Sequence, residues 1–438
     1  MSNFLTNEFQ TSSAAAWKQK IQFELDGADY NKTLLTKTTE GITIKPFYHA
    51  DTFEKVIVPS SKADFNICKT ITITSETTAN SEALTAIEKG VTALLFKATK
   101  PFNTLLIFQN LLKKNIEFHF DLSFLSENFI NEICNVLQAE IFYLNIDPIG
   151  NLTKTGNWFN HSNNNFALLE NLIKKHPKTF ILSIDATTYH NAGANSTQQI
   201  AYALAHANEY LTKYNSEISN TIQFKFSIGS NYFFEIAKIR AFRYLYNLIL
   251  SKYNSSTIAK IYTTPSLRNK TAYNNSINTF RLTSETISAI LGGANTIAIE
   301  TSISDFSNSN KITKTQHQLI DSIQQFKNKK DAPEDSYYIE SLTKQLAEKA
   351  LIIFKDIEKS GGFLNQLKEG TIQRKIVENA QKEQLEFDAK LFLDKIDSNL
   401  KPILRENIQK KSQKTLIAPI LPMKLSKKVE QKIRNNEA

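Results

Sequence analysis

The sequence is poor in the residues that build covalent or metal-bound scaffolds. Cys68 and Cys134 are its two cysteines, far apart and with no clustered Cys/His spacing, which excludes a disulfide framework or a zinc module and suits a reducing compartment. No apolar run reaches the roughly 18 residues of a spanning helix, and the opening MSNFLTNEFQTSS has no basic stretch followed by an apolar one. A soluble, cytoplasmic protein with no membrane partner is therefore expected. Walker, HExxH and Gly-x-Ser-x-Gly motifs are missing. Gly292–Gly293 follows a helical stretch instead of preceding one, so it reads as a helix cap and not a phosphate loop.

Positive charge is abundant but unevenly placed. The net charge is +9, and from Lys401 onward ten Lys/Arg face three Asp/Glu, so most of the excess lies in one tail. That distribution, without interleaved basic and aromatic residues, argues for a solvated or partner-contacting tail and against nucleic-acid binding.

With 41% hydrophobic residues the chain can bury a full core. Strand-length runs alternate with helix-period stretches from about residue 65 to 300. The runs centre on Asn66–Ile73, Thr92–Lys97, Glu117–Leu122, Glu140–Ile146, Thr179–Asp185, Thr221–Ile228, Thr257–Tyr262 and Thr296–Glu300. Helices are expected between them, among them Ser81–Lys89, Phe129–Leu137, Thr197–Leu211 and Tyr232–Leu250. Eight such repeats predict an α/β fold closing as a (β/α)8 TIM barrel. The expected organisation is an N-terminal extension over 1–64, the barrel over 65–335, a helical extension over 336–400 containing Tyr337–Lys359 and Gln373–Ile396, and a basic tail over 401–438.

Barrel strands are usually apolar on both faces. Here Ile222, Phe224, Phe226 and Ile228 alternate with Gln223, Lys225 and Ser227. The same period of two separates Phe118 and Phe120 from His119 and Asp121, and Phe142, Leu144 and Ile146 from Tyr143, Asn145 and Asp147. The polar set is expected to point inward. It includes bulky His119, Tyr143, Gln223 and Lys225, with Lys260 and Tyr262, so the bore should be plugged. Asp121, Asp185 and Glu300 would be counter-charges, because buried lysines must be paired. Glu235, Lys238, Arg240 and Arg243, at helical spacing, read as a solvated face.

Five stretches in order resemble the methylmalonyl-CoA mutase family: TTEGITIKPFY from Thr38, YHNAGANSTQQIAYALAHANEYL from Tyr189, FKFSIGSNYFFEIAKIRAFRYLY from Phe224, RLTSETISAILGGANTIAIE from Arg281, and SYYIESLTKQLAEKALIIFKDIEKSGG from Ser336. The resemblance implies an acyl-CoA barrel joined, in catalytic chains, to a cobalamin domain marked by Asp-x-His-x-x-Gly. None of the seven histidines stands in that pattern, and the tail after Leu400 is too short for a second α/β domain. The aromatic and arginine-rich arm that covers the family's radical site has no counterpart between Tyr48 and the first strand. The loop DAPED, from Asp331, replaces a glycine-containing turn. The family's catalytic Tyr-His pair is matched in type by Tyr189 and His190, but the following Ala-Gly-Ala comes two residues early, so the pair reads as a relic.

These departures resemble the family's small, non-catalytic subunit. This implies a structural or regulatory chain in a heterodimeric isomerase, with adenosylcobalamin held by a homologous large subunit that interconverts methylmalonyl-CoA and succinyl-CoA in propionate metabolism. No catalytic, cofactor or metal residue is then expected in this chain. The N-terminal extension, with Trp17 and Tyr30, and the helices after Gly362 would form the interface. Two other readings remain open: a catalytic acyl-CoA barrel served by a separate cobalamin-binding chain, and a free-standing acyl-CoA-binding protein.

Overall fold

A computed structural model describes residues 11–59, 64–271, 275–299, 314–326, 333–391 and 414–431. The basic tail and the loop DAPED, the latter through its first two residues, therefore fall partly, and Glu300 wholly, outside the described residues.

The chain opens with helix α1 (Ala14–Glu24), short helix α2 (Tyr30–Leu34) and a hairpin of two-residue strands, β1 (Thr36–Lys37) and β2 (Thr43–Ile44). Eight parallel strands then close a barrel: β3 (Asn66–Thr72), β4 (Ala93–Ala98), β5 (Glu117–Leu122), β6 (Ile141–Ile146), β7 (Phe180–Asp185), β8 (Ile222–Ile228), β9 (Lys260–Pro265) and β10 (Thr296–Ala298). The predicted (β/α)8 TIM barrel is thus the observed fold. Seven strands fall where the alternation places them. The seventh in the barrel, β9, slides three residues toward the C-terminus, because Thr263 and Thr264 continue a half-polar strand that the apolar run IAKIY ends too early.

Returning helices run along the outside. They are α3 (Glu76–Glu88), α4 (Thr104–Ile107), α5 (Glu127–Val136), α6 (Pro148–Thr155), α7 (Ser162–Lys175), α8 (Thr187–Ala192), α9 (Ser196–Tyr214), α10 (Tyr232–Lys252), α11 (Asn275–Leu291) and α12 (Lys314–Gln324). The starts of α3, α4, α6 and α9 carry a side-chain cap: the Ser75 hydroxyl, for example, accepts from Thr78 N–H, and Asn195 with Gln198 forms a reciprocal capping box. After α11 the chain turns through Gly293, at φ +86°, which supports the cap reading of the paired glycines.

A third layer lies over one side of this jacket. Helix α13 (Tyr337–Lys359) packs across both α9 and α10, followed by α14 (Phe363–Lys368) and α15 (Thr371–Leu391). This layer overturns the reading of Glu235, Lys238, Arg240 and Arg243 as a solvated face. All four are buried, because α10 has the barrel on one side and α9, α11 and α13 around the rest. Each charge is met by a specific partner, as burial requires. Lys238 pairs with Glu235 and donates to Gln199 Oε1 at 2.9 Å and to the Ser227 carbonyl at 2.7 Å. Arg240 donates to Glu340 of α13 at 2.6 Å. Arg243 donates to the carbonyls of Ala259 and Gly293, both at 2.6 Å.

The described part of the C-terminal tail keeps Lys427 and Lys428 exposed but anchors itself through apolar residues. Ile417, Ile420 and Leu425 are buried against the barrel's own C-terminal rim.

Candidate functional site

In a TIM barrel, ligands are met by the bore and by the loops at the C-terminal ends of the strands. The bore is filled. His119 is fully buried and stacks on Tyr143 with ring centroids 4.5 Å apart and planes 4° apart. Tyr262 leans on the same imidazole at 5.1 Å and donates its hydroxyl to Cys68 Sγ at 3.4 Å. Gln223 and Lys225 are buried beside them, with Lys225 Nζ 5.6 Å from the Tyr262 ring. The inward set read from the alternation therefore does plug the barrel.

Its charge pairing differs from expectation. Asp185, at the end of β7, is bonded directly to Lys154 from α6, not to Lys225. Burial alone would raise the Asp185 carboxyl, but Lys154 and Lys225 outweigh it and hold the group well below the usual carboxylate range. Lys225 has no carboxylate at ion-pair distance among the described residues. Burial lowers its pKa, and Asp121 and Asp185 offset this only partly. Lys260 lies near Glu117 and helps lower that carboxyl. Burial pulls Glu117 the other way, while the His119 contact at 3.5 Å and the Thr296 hydroxyl at 3.0 Å contribute to the lowering.

The alternation also places Asp147 in the bore, and here a bulge intervenes. The register of β6 against β7 shifts between Tyr143 and Ile146, with Asn145 in the left-handed region at φ +52°. An asparagine tolerates that conformation, and its amide donates to the Phe120 carbonyl at 3.0 Å. Past the bulge, Asp147 caps α6 by accepting from Gly150 N–H at 2.8 Å. The same oxygen accepts from the Tyr210 hydroxyl at 2.8 Å and meets His206 Nε2 at 3.0 Å.

These bonds fix the histidine's tautomer. In the neutral imidazole the Nε2 proton is donated to the Asp147 carboxylate, and Nδ1 accepts the Tyr189 hydroxyl at 2.9 Å. Tyr189, His206, Asp147 and Tyr210 thus form one buried chain at the C-terminal end of β6 and β7. Burial and the Asp147 charge both push the Tyr189 phenol well above its ordinary value.

Tyr189 and His190, adjacent in sequence, are consequently held in different networks. Tyr189 has no exposed surface and turns toward α9. His190 turns toward the loop after β9, with Nε2 2.7 Å from Ser266 Oγ, which also accepts Arg268 N–H at 3.1 Å. Burial, followed by the Lys238 and Arg268 charges, lowers His190 well below the usual histidine range. The neighbouring Asn191 accepts Leu267 N–H at 3.1 Å. Sequence reasoning identified the Tyr-His pair but missed His206 and Asp147. The signal was present in Tyr202, His206 and Tyr210, a four-residue repeat that puts three rings on one face of α9.

Known proteins match this arrangement. The model of the methylmalonyl-CoA mutase family matches residues 144–392, which run from β6 through the Tyr189 network and the third layer. The chain belongs to the methylmalonyl-CoA mutase family. It is similar to the methylmalonyl-CoA mutase small subunit of Porphyromonas gingivalis, 29% identical over 424 residues, covering 85% of this chain and 67% of that one. The small subunit of Propionibacterium freudenreichii subsp. shermanii is 24% identical, covering 82% and 64% respectively. The methylmalonyl-CoA mutase of Cereibacter sphaeroides is 30% identical over a stretch covering 50% of this chain and 33% of that one. The chain thus spans about two thirds of these two small subunits and about one third of that mutase.

Burial gives two of the histidines a testable consequence. His119 and His190 are both held neutral by burial, with His119 lowered despite Glu117 beside it. The unfolded chain therefore takes up protons first as the pH drops, so their contribution is complete above about pH 6.5 and is lost below it. Each should subtract about 1 kcal/mol per pH unit over that fall. Urea unfolding at pH 7.5, 6.5 and 5.5 should show this decline, and His190→Gln should flatten it.

Proposed function

We propose that this chain is the small, non-catalytic subunit of a heterodimeric methylmalonyl-CoA mutase, a structural partner to a homologous large chain that holds adenosylcobalamin and carries out the isomerisation. The plugged bore is the observation that carries the reading. A CoA ester threading its pantetheine arm through the barrel needs small inward side chains, and His119, Tyr143 and Tyr262 occupy that path. The relic reading of Tyr189 and His190 is supported by their burial, since neither side chain presents a proton to a bound substrate.

Cobalamin does not fit this chain's residues in the family's way. No histidine stands in Asp-x-His-x-x-Gly, and His119 and His206 are committed to the bore and to Tyr189 with Asp147. No step of the reaction is assigned to this chain.

The partner surface is best supported at the N-terminus. Helix α1 has no buried residue, and Trp17 and Phe23 are 47% and 83% exposed. Its contacts within the chain are few, among them Trp17 edge-on to Phe47 with ring centroids 6.3 Å apart and Ala14 N–H donating to Asp51 at 2.8 Å, so most of its apolar surface is free for a partner. Nearby, an open groove of about 370 Å³ lies between Glu54–Ile57 and the α10/α13 pair, with Ile57 82% exposed at its edge.

Co-expression with a cobalamin-binding homologue tests the proposal. The two should elute as one complex, and the isolated chain should show no heat of binding with a CoA ester. Elution as a separate monomer at micromolar concentration, or tight CoA-ester binding by the isolated chain, would overturn it. Within the complex, Phe23→Asp should weaken association at least about 30-fold, the effect of losing one strong interface residue. Surface plasmon resonance measures this directly.

A further inference from the structure

The C-terminal rim of the barrel carries a feature that neither the bore nor the proposed interface explains. Residues 414–425 run along it without regular secondary structure, bonded through the backbone to α6 and its end, to α8 and to the loop after β9. Leu416 and Ile417 N–H donate to the Gly156 carbonyl at 2.9 and 3.2 Å, and Ile420 N–H donates to Thr153 O at 2.9 Å, at the end of α6. Met423 N–H then donates to Asn191 O at 2.8 Å, on α8, and Leu425 N–H to Arg268 O at 3.0 Å, after β9.

The seat is shaped for this segment. Gly156 sits at φ +78°, and a Cβ there would lie 2.6 Å from the Ile417 carbonyl oxygen and 2.7 Å from Thr415 Cβ, so any larger residue would evict the segment. Arg268 grips it from below: Nη1 donates to Met423 O at 2.8 Å, while Nε donates to Glu383 of α15 at 3.0 Å. Gln373 and Gln384 of α15 donate to Ala418 O and Leu425 O at 3.1 and 3.2 Å. Helix α15 itself lies against α8, where a Cβ on Gly193 would come within 2.4 Å of Ala380 Cβ.

We infer that residues 414–425 form a clasp that joins α6, α8, the loop after β9 and α15 into one opening unit, locking the turn that carries Tyr189, His190 and Asn191. Release of the clasp removes the only backbone bond that the Asn191 carbonyl makes with 414–425 and frees Arg268 on one side, so the α8 turn gains access to solvent and His190 with it. The clasp thereby keeps closed a polar surface, His190 with Ser266 and Asn191, that lies where barrel proteins bind ligands. This device stands on the hydrogen-bond geometry and does not depend on the subunit reading.

Native-state hydrogen exchange of the full-length chain tests it. With increasing sub-denaturing urea, amides of 186–194 and of 416–425 should follow a single isotherm, opening together and below the energy of global unfolding. The full-length variant Ile417→Asp/Ile420→Asp, which changes only clasp side chains, should speed exchange in 186–194 at least tenfold and leave β3–β5 unchanged. It should also make His190 reactive to diethyl pyrocarbonate, read by mass spectrometry. Separate isotherms for the two segments in the wild type would overturn the inference. So would unaltered protection of 186–194 in the variant, or an equal loss of protection in every strand. If the variant fails to fold, the wild-type isotherms decide.

Discussion

Asp147→Ala should destabilise the folded chain by about 3–5 kcal/mol, with a matching fall in the urea midpoint and little change in the m-value. The size follows from how many groups one carboxylate serves. Its removal leaves the His206 Nε2–H, the Tyr210 hydroxyl and the Gly150 amide, all buried, without their acceptor. Each buried orphan costs about 1–3 kcal/mol, and relaxation keeps the total below the full sum. Asp147→Asn should cost less, since its amide oxygen still accepts while its NH2 faces a donor. A second readout separates this network from simple packing: with Asp147 gone, His206 loses the bond that fixes its tautomer, so its ring-nitrogen NMR shifts should move to a mixture of the two neutral forms.

The second large effect is expected at α10. Arg240→Ala strips the guanidinium from Glu340, a carboxylate with no exposed surface that also accepts Val56 N–H at 3.1 Å. An uncompensated buried charge of this kind costs about 3–5 kcal/mol. Replacing both partners, as Arg240→Met with Glu340→Leu, should recover most of that loss, because a desolvated ion pair is often worth little more than apolar groups of similar volume. Thermal unfolding of Arg240→Met, Glu340→Leu and the double variant closes a double-mutant cycle. Recovery in the double variant would show that the cost lies in the stranded charge and not in the packing of α10.

Both effects fall on residues that the sequence places differently, and the reasons are specific. The alternation of Phe224 and Phe226 with Gln223 and Lys225 fixes which side of β8 faces the bore, because a strand's period of two admits one choice once the apolar face is known. The same logic locates His119 and Tyr143 in the plug. It fails at Asp147, since a bulge adds a residue without leaving a mark in hydropathy, and Asn145 in the left-handed region is the sole local hint. It fails again at Lys238 and Arg240. Helical charge spacing looks the same whether a helix faces water or a further helical layer, and nothing within α10 announces that α13 will cover it. The pair Tyr189 and His190 was visible as residues, yet their separation into two networks depends on α9 and the β9 loop, which arrive from elsewhere in the chain. The clasp had no signal beyond charge, and charge suggested the opposite.

The order in which the layers are made carries a consequence for synthesis. The apolar and ionic outer surfaces of α9 and α10 are complete when about residue 252 has emerged, yet their cover, α13, begins at Tyr337. During the translation of more than eighty intervening residues, Leu245, Arg240 and their neighbours stand unroofed on a barrel that at first also awaits β9 and β10. A nascent chain stalled in that window presents a sticky flank, and chaperone occupancy should peak there and fall once the roofing helix clears the exit tunnel.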